Sequence, residues 1–135
     1  MSSEILFSSD FYQLEADYDQ NLIWSKWLKP VSAAEVEAGG TKLYEALRDS
    51  ALDRVMADAR ALSGLDAEAK EWMSTTFYEL LSSTGLKKLA RVLPSNVFQR
   101  ITLESVVTRA EASGITKFNV RNFTNMEEAL DWLNA

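Results

Sequence analysis

No cysteine and no histidine stand anywhere in this chain. The first absence excludes a disulfide framework and thiolate zinc sites, and the second removes the commonest general base and the commonest transition-metal ligand. Phosphate-binding glycine loops are missing too. The adjacent Gly39 and Gly40 fall within a helical pattern, and neither G-x-G-x-x-G nor a Walker lysine follows a strand. No segment approaches the roughly twenty unbroken apolar residues of a membrane span. The opening M-S-S-E-I-L-F carries Glu4 where a signal peptide has basic residues, so a soluble, cytoplasmic protein is expected. Clustered positive charge is also lacking. The formal net charge of −6 opposes phosphate backbones and anionic lipid surfaces, and the one adjacent basic pair, Lys87 and Lys88, reads as a solvated strand entrance. Neither nucleic-acid binding nor membrane insertion is expected, and no cofactor. Acidic residues are plentiful, which leaves a carboxylate site as the enzyme route that composition does not discourage. Asp58 and Asp66 flank one loop and have the oxygen ligands Mg²⁺ prefers. Helix capping accounts for Asp66 and pairing with Arg60 for Asp58, so no metal ligand and no catalytic residue is assigned.

What is present is an alternation of apolar patterns. At 135 residues the chain is one ordinary domain, able to bury about two thirds of its unfolded surface. Residues 1–10 read as a flexible tail and 11–135 as the domain. Within residues 11–18, Tyr12, Leu14, Ala16 and Tyr18 alternate with polar neighbours, as in a strand with one wet face. Asp19, Gln20 and Asn21 supply a turn, and residues 22–28 return as a second, antiparallel strand. That strand places Trp24 and Trp27 on opposite faces, either covered by a helix or left as an interaction surface, and a symmetric dimer through this hairpin is one expectation. Pro30 ends the strand, and Ser32 with Glu35 forms a capping box for a helix to about Asp49, with Val36, Leu43 and Leu47 inward. Gly39 and Gly40 within it point either to close helix-to-sheet approach or to room for a ligand or partner helix.

The central stretch A-L-D-R-V-M-A-D-A-R-A-L-S-G-L-D-A-E-A-K-E-W-M is a buried strand, a loop and a helix. Leu52, Val55, Met56 and Ala57 form an apolar run that halts at Asp58. Asp66 caps a helix whose stripe is Ala69, Met73, Phe77 and Leu80, ending at Gly85 as a left-handed cap. A short apolar strand, L-A-R-V-L, stops at Pro94. A turn through Ser95, Asn96 and Arg100 leads to a helix capped by Thr102, with Leu103, Val106, Val107 and Ala110 buried and Gly114 as terminator. Residues 117–123 form the last strand. Asn125 with Glu128 caps a last helix on Met126, Ala129, Leu130 and Leu133. The order is β-β-α-β-α-β-α-β-α, an α/β fold with a mainly parallel five-stranded sheet and an antiparallel edge hairpin.

Taken with this order, the segments D-A-R-A-L-S-G-L-D-A-E-A-K-E-W, G-L-K-K-L-A-R-V-L-P, V-F-Q-R-I-T-L-E-S-V and M-E-E-A-L-D-W-L resemble those of small bacterial STAS-like proteins. Their fold is that of anti-sigma-factor antagonists and, more remotely, of the CRAL-TRIO lipid-binding domain. The resemblance implies a non-enzymatic regulatory or protein-interaction module with a protein partner; the alternative it implies is a binder of a small apolar or amphipathic ligand. Antagonists carry a phosphorylatable serine in a D-S-S-G-like turn. Here the turn reads S-G-L-D-A-E, with Ser63 before the cap and Ala67 after it, so neither restores that motif.

Open parallel sheets bind ligands outside the carboxyl ends of their strands. The loop 58–66 is therefore expected to face the loop 94–100, bringing Asp58, Arg60, Ser63, Asp66, Ser95 and Arg100 to one rim beside helix N-termini. Convergent donors there would favour an anion.

Overall fold

The computed structural model describes residues 3–135. Six strands form one sheet in the order of the chain: β1 (Ser3–Ser8), β2 (Tyr12–Asp17), β3 (Leu22–Trp27), β4 (Arg54–Asp58), β5 (Lys88–Val92) and β6 (Asn119–Phe123). The first three are antiparallel, and β3 to β6 run parallel. The sixth strand corrects the five-stranded expectation. Part of the segment read as a tail is β1, which pairs with β2 around an irregularity between Ile5 and Phe7. Its signal was hidden because only Phe7 packs on the core while its neighbours are exposed, so no alternation marks the strand.

Helix α1 (Ala33–Asp49) joins β3 to β4. Between β4 and β5 the chain stays helical through α2 (Ala67–Trp72), a π-helical turn (Met73–Phe77) and α3 (Tyr78–Ser82). Then α4 (Val97–Ala112) joins β5 to β6, and α5 (Met126–Asn134) follows. Each crossover steps to the next strand in the same direction. Right-handed connections of that kind put every crossover helix on the same face of the sheet. The buried residues divide accordingly: a large cluster joins the sheet to α1, the π turn, α3 and α4, while Leu22, Met56, Ala90 and Val92 meet α5 through Ala129 and Leu133.

Local chemistry sets the element ends. Both hydrogen bonds of the Ser32–Glu35 capping box form. Asp66 accepts the Ala69 N–H at 2.8 Å, and Asn125 accepts the Glu128 N–H at 3.0 Å. Gly114 takes φ 77°, the left-handed value needed just past a helix end. Gly85 does not adopt a positive φ; α3 ends instead with Ser83 and Thr84 hydroxyls donating to the carbonyls of Leu80 and Leu81. Helix α4 starts earlier than expected, because Asn96 and not Thr102 is its cap, accepting the N–H groups of Phe98 and Gln99 at 3.0 and 3.1 Å. Thr102 lies inside, its hydroxyl donating back to Phe98.

The two mid-helix glycines of α1 have separate reasons. A Cβ on Gly39 would lie 2.7 Å from the Trp27 ring and 3.0 Å from Tyr12, so this glycine lets the helix lie against the sheet. A Cβ on Gly40 would lie 2.7 Å from Trp72, so the second admits the neighbouring helix. In the π turn the Ser74 and Thr75 hydroxyls donate to the Glu71 carbonyl, a competition with the helical ladder that favours local widening. The wider turn leaves Leu80 only half-buried and buries Tyr78 and Leu81 in its place.

Neither hairpin tryptophan is fully exposed. Trp27 is buried with its ring tilted against that of Tyr12, and Trp24 packs against the α5 cluster. The edge of β2 is covered by β1. Lys88 is not a solvated strand entrance either: its Nζ donates to the Trp132 carbonyl at 3.1 Å and lies 5.2 Å from the Trp132 ring centroid, while Arg54 donates to the Leu133 carbonyl at 2.7 Å. Cations thus close the negative end of α5.

Candidate functional site

Strand β4 ends at Asp58 because its last side chain is polar and finds its partner in the chain leaving the sheet. Both carboxylate oxygens accept from the Arg60 guanidinium, at 2.9 and 2.8 Å, and the Arg60 backbone N–H donates at 3.1 Å. The Asp58 side chain is 9% exposed and that of Arg60 55%, so the pair stands at the mouth of the sheet. Burial alone pushes the Asp58 carboxyl up. The Arg60 hydrogen bonds, with the charges of Arg60 and Lys26, outweigh it, and the group lies below the usual carboxylate value.

A carboxyl depressed in the folded state contributes stability that is complete above its unfolded titration range, about pH 4 to 5, and is lost as pH falls through the depressed value. Replacing Asp58→Asn is therefore expected to lower the melting temperature at neutral pH and to flatten the acid limb of the melting profile. Wild-type and variant profiles that stay parallel down to about pH 2 would contradict the role given to the pair.

The two rim loops do meet. The Gly64 N–H, in a turn with φ 63°, donates to Gln99 Oε1 at 3.1 Å. The contact comes from Gln99, which sequence reasoning did not single out, and the partner segment is the first turn of α4 instead of a loop. Asp66 is occupied as the N-cap of α2. Ser63 is half-buried and Ser95 exposed beside this contact.

The arginines do not converge. Arg60 lines a depression of about 310 Å³ with Glu15, Trp24, Lys26, Asp58 and Met126. Arg100 lines another, of about 190 Å³, with Leu93, Glu104, Asn122, Thr124 and Glu128. In the first, Arg60 is already paired with Asp58 and Lys26 stands beside Glu15, while the second mixes one arginine with two carboxylates. Arg60 and Arg100 thus line separate depressions, the first with as many cations as carboxylates and the second with one carboxylate more. Among the described residues no group of three or more acidic side chains is placed to hold a metal ion.

Two features escaped sequence reasoning. Val97, Phe98 and Ile101 on the first turns of α4 are 52%, 79% and 55% exposed, an apolar cluster next to the Gly64–Gln99 contact. Their spacing of one, three and four residues was legible, but the segment was read as a turn, where no face is defined. The other is Arg91, 4% exposed inside β5. A lone cation in L-A-R-V-L was the available signal.

Neither a family model nor a curated protein matches the sequence. Among solved structures, the fold is similar to that of an uncharacterized protein of the DUF3478 family from Shewanella loihica PV-4. The TM-score is 0.55 at 21% identity, covering 98% of this chain and 92% of that one. That protein's structure is described as SpoIIAA-like. This chain has the SpoIIAA-like fold. The STAS-like architecture implied by the sequence fragments is this same fold. In the SpoIIAA-like frame, the Asp58–Asp66 loop, the first turn of α4 and the carboxyl ends of the parallel strands occupy one end of the sheet. No helix among the described residues is long and apolar enough to cross a membrane.

Proposed function

We propose that this chain is a non-enzymatic regulatory or protein-interaction module whose partner docks on the first turns of α4. The observation carrying this reading is Phe98, a large apolar side chain left 79% exposed with Val97 and Ile101 beside it. Single exposed apolar residues are ordinary, but a contiguous cluster on a capped, well-formed helix end is the usual character of a contact surface. The Gln99–Gly64 hydrogen bond supports it, since it ties the cluster to the loop after β4. The SpoIIAA-like fold agrees with a module that works by association. A protein partner of this kind presents an apolar pocket for the Phe98 ring. The alternative, a binder of a small apolar or amphipathic ligand, fits less well, because the 310 Å³ depression is at the small end of ligand pockets and sets the charges of Glu15, Lys26, Asp58 and Arg60 beside its apolar Trp24 and Met126.

Photo-crosslinking separates these readings. With benzoylphenylalanine in place of Phe98 and the protein expressed in its native cells, a discrete adduct is expected, lost when Ile101→Asp is added and absent when the crosslinker replaces the exposed Glu79. An adduct of twice the chain mass would identify the partner as a second copy. Equal, diffuse labelling from both positions would remove the docking surface.

A further inference from the structure

A cavity of about 30 Å³ lies within the large core between the sheet and the helical layer, with Tyr12, Ser25, Ala57, Tyr78 and Arg91 among its walls. Its floor follows from register. Ser25, Ala57, Arg91 and Asn122 pair in succession across β3, β4, β5 and β6, making a polar row over the inner face of the sheet. Ala57 is the small member, and its single methyl group leaves space above it between Ser25 and Arg91.

The polar groups of this row are incompletely matched. Arg91 Nη1 donates to the Leu103 carbonyl at 2.9 Å and to Asn122 Oδ1 at 3.2 Å, but Nη2 is buried with no hydrogen-bond partner among the described residues. Arg91 also belongs to no ion pair among them. A buried charge without a counter-charge is strongly disfavoured. Opposite stand the hydroxyls of Tyr12 and Ser25, 2.6 Å apart. Burial pushes both Tyr12 and Tyr78 above the ordinary phenol value, which keeps them protonated and able to donate.

We infer that the space above Ala57 is a binding site for a small monovalent anion, held by the Arg91 guanidinium and the tyrosine and serine hydroxyls. The volume sets the class. A cavity needs about 10–15 Å³ to hold a water, so this one accepts a halide ion or the two oxygens of a carboxylate, and no elongated ligand as a whole. The π turn forms part of the wall through Met73 and Phe77, giving the site a side where a locally widened helix meets it.

The test uses the intact protein in halide-free buffer, with sodium chloride or bromide titrated against sodium methanesulfonate, an anion too large for the cavity. The melting temperature is expected to rise with the logarithm of halide concentration and to stay level in methanesulfonate. Arg91→Met should abolish the rise, and Ala57→Leu, which fills the cavity while retaining the arginine, should raise the half-saturating concentration by about tenfold or more. Acetate and octanoate form the second arm: acetate acting like chloride marks a site for free small anions, whereas a response to octanoate at far lower concentration marks the carboxylate end of a longer organic acid. Bromide-soaked wild-type crystals should show an anomalous peak beside Arg91 Nη2, which decides the matter even if Arg91→Met does not fold. A halide response identical in wild type and Ala57→Leu, or bromide crystals with no peak between Ala57 and Arg91, would overturn the site.

Discussion

Gly39→Val is expected to destabilise the protein by about 2–3 kcal/mol, the upper part of the range for added bulk in a packed core. The Cβ alone would sit 2.7 Å from the Trp27 ring and 3.0 Å from Tyr12, closer than any ordinary contact. Neither ring can withdraw. Their centroids are 4.1 Å apart, both residues are buried, and the Tyr12 hydroxyl is held by Ser25. The better helix propensity of valine returns only about 0.5 kcal/mol, so the fall in melting temperature should be on the order of 10 °C. Gly85→Ala is the matched comparison, since nothing lies within 4 Å of its Cβ position and its φ is not left-handed. That variant should be unchanged or stabilised by up to about 1 kcal/mol. Similar chemical denaturation midpoints for the two variants would show that glycine content, and not the contact with Trp27, governs the effect.

Leu133→Ala should cost about 2–5 kcal/mol and act locally. Leu133 is 1% exposed, and with Ala129 it is the buried contribution of α5 to the smaller cluster. A helix of 9 residues is far below the roughly 12–15 at which isolated helices begin to hold. Loss of its anchor should therefore free the whole element instead of leaving a cavity beneath it. Hydrogen exchange is expected to accelerate throughout Met126–Asn134 while β2 and α1 keep their protection, and the emission of Trp24 and Trp132 should shift toward that of solvated indole. Acceleration spread evenly over the sheet would refute a separately docked α5.

The elements that could be read from residues were those whose ends have their own chemistry. Ser32, Asp66, Gly114 and Asn125 mark boundaries by hydrogen bonds or φ values that a few neighbouring residues determine, and the structure has them so. Strand β1 was not legible because an edge strand with one packed residue has no period to detect, and its existence depends on the partner strand β2. Asn96 and Thr102 are both plausible caps in sequence, and the choice between them follows from where the chain leaves β5, a tertiary fact. At the site, the Asp58–Arg60 pair was readable from proximity in sequence. The separation of Arg60 from Arg100 was not, because it depends on which neighbouring elements each side chain meets in the folded chain. Arg91 is a case of a different kind: what makes it unusual is that it forms no ion pair with any described carboxylate, and no spacing along one chain can express that.

Strand order that follows chain order has a consequence for how the molecule assembles. Every strand pairs with the one made just before it, so no strand must wait for a later segment to be inserted beside it. Loop closures are correspondingly short, which favours rapid search among α/β topologies. On a ribosome the sheet can grow outward from its antiparallel end, one crossover at a time, each helix covering the strand pair already formed. The second face stays bare throughout that growth. Leu22, Met56, Ala90 and Val92 are sheltered only when α5 arrives, and its capture by Arg54 on β4 and Lys88 on β5 depends on those two strands being already side by side. A nascent chain arrested before Met126 is therefore expected to present an apolar sheet face of the kind chaperones recognise.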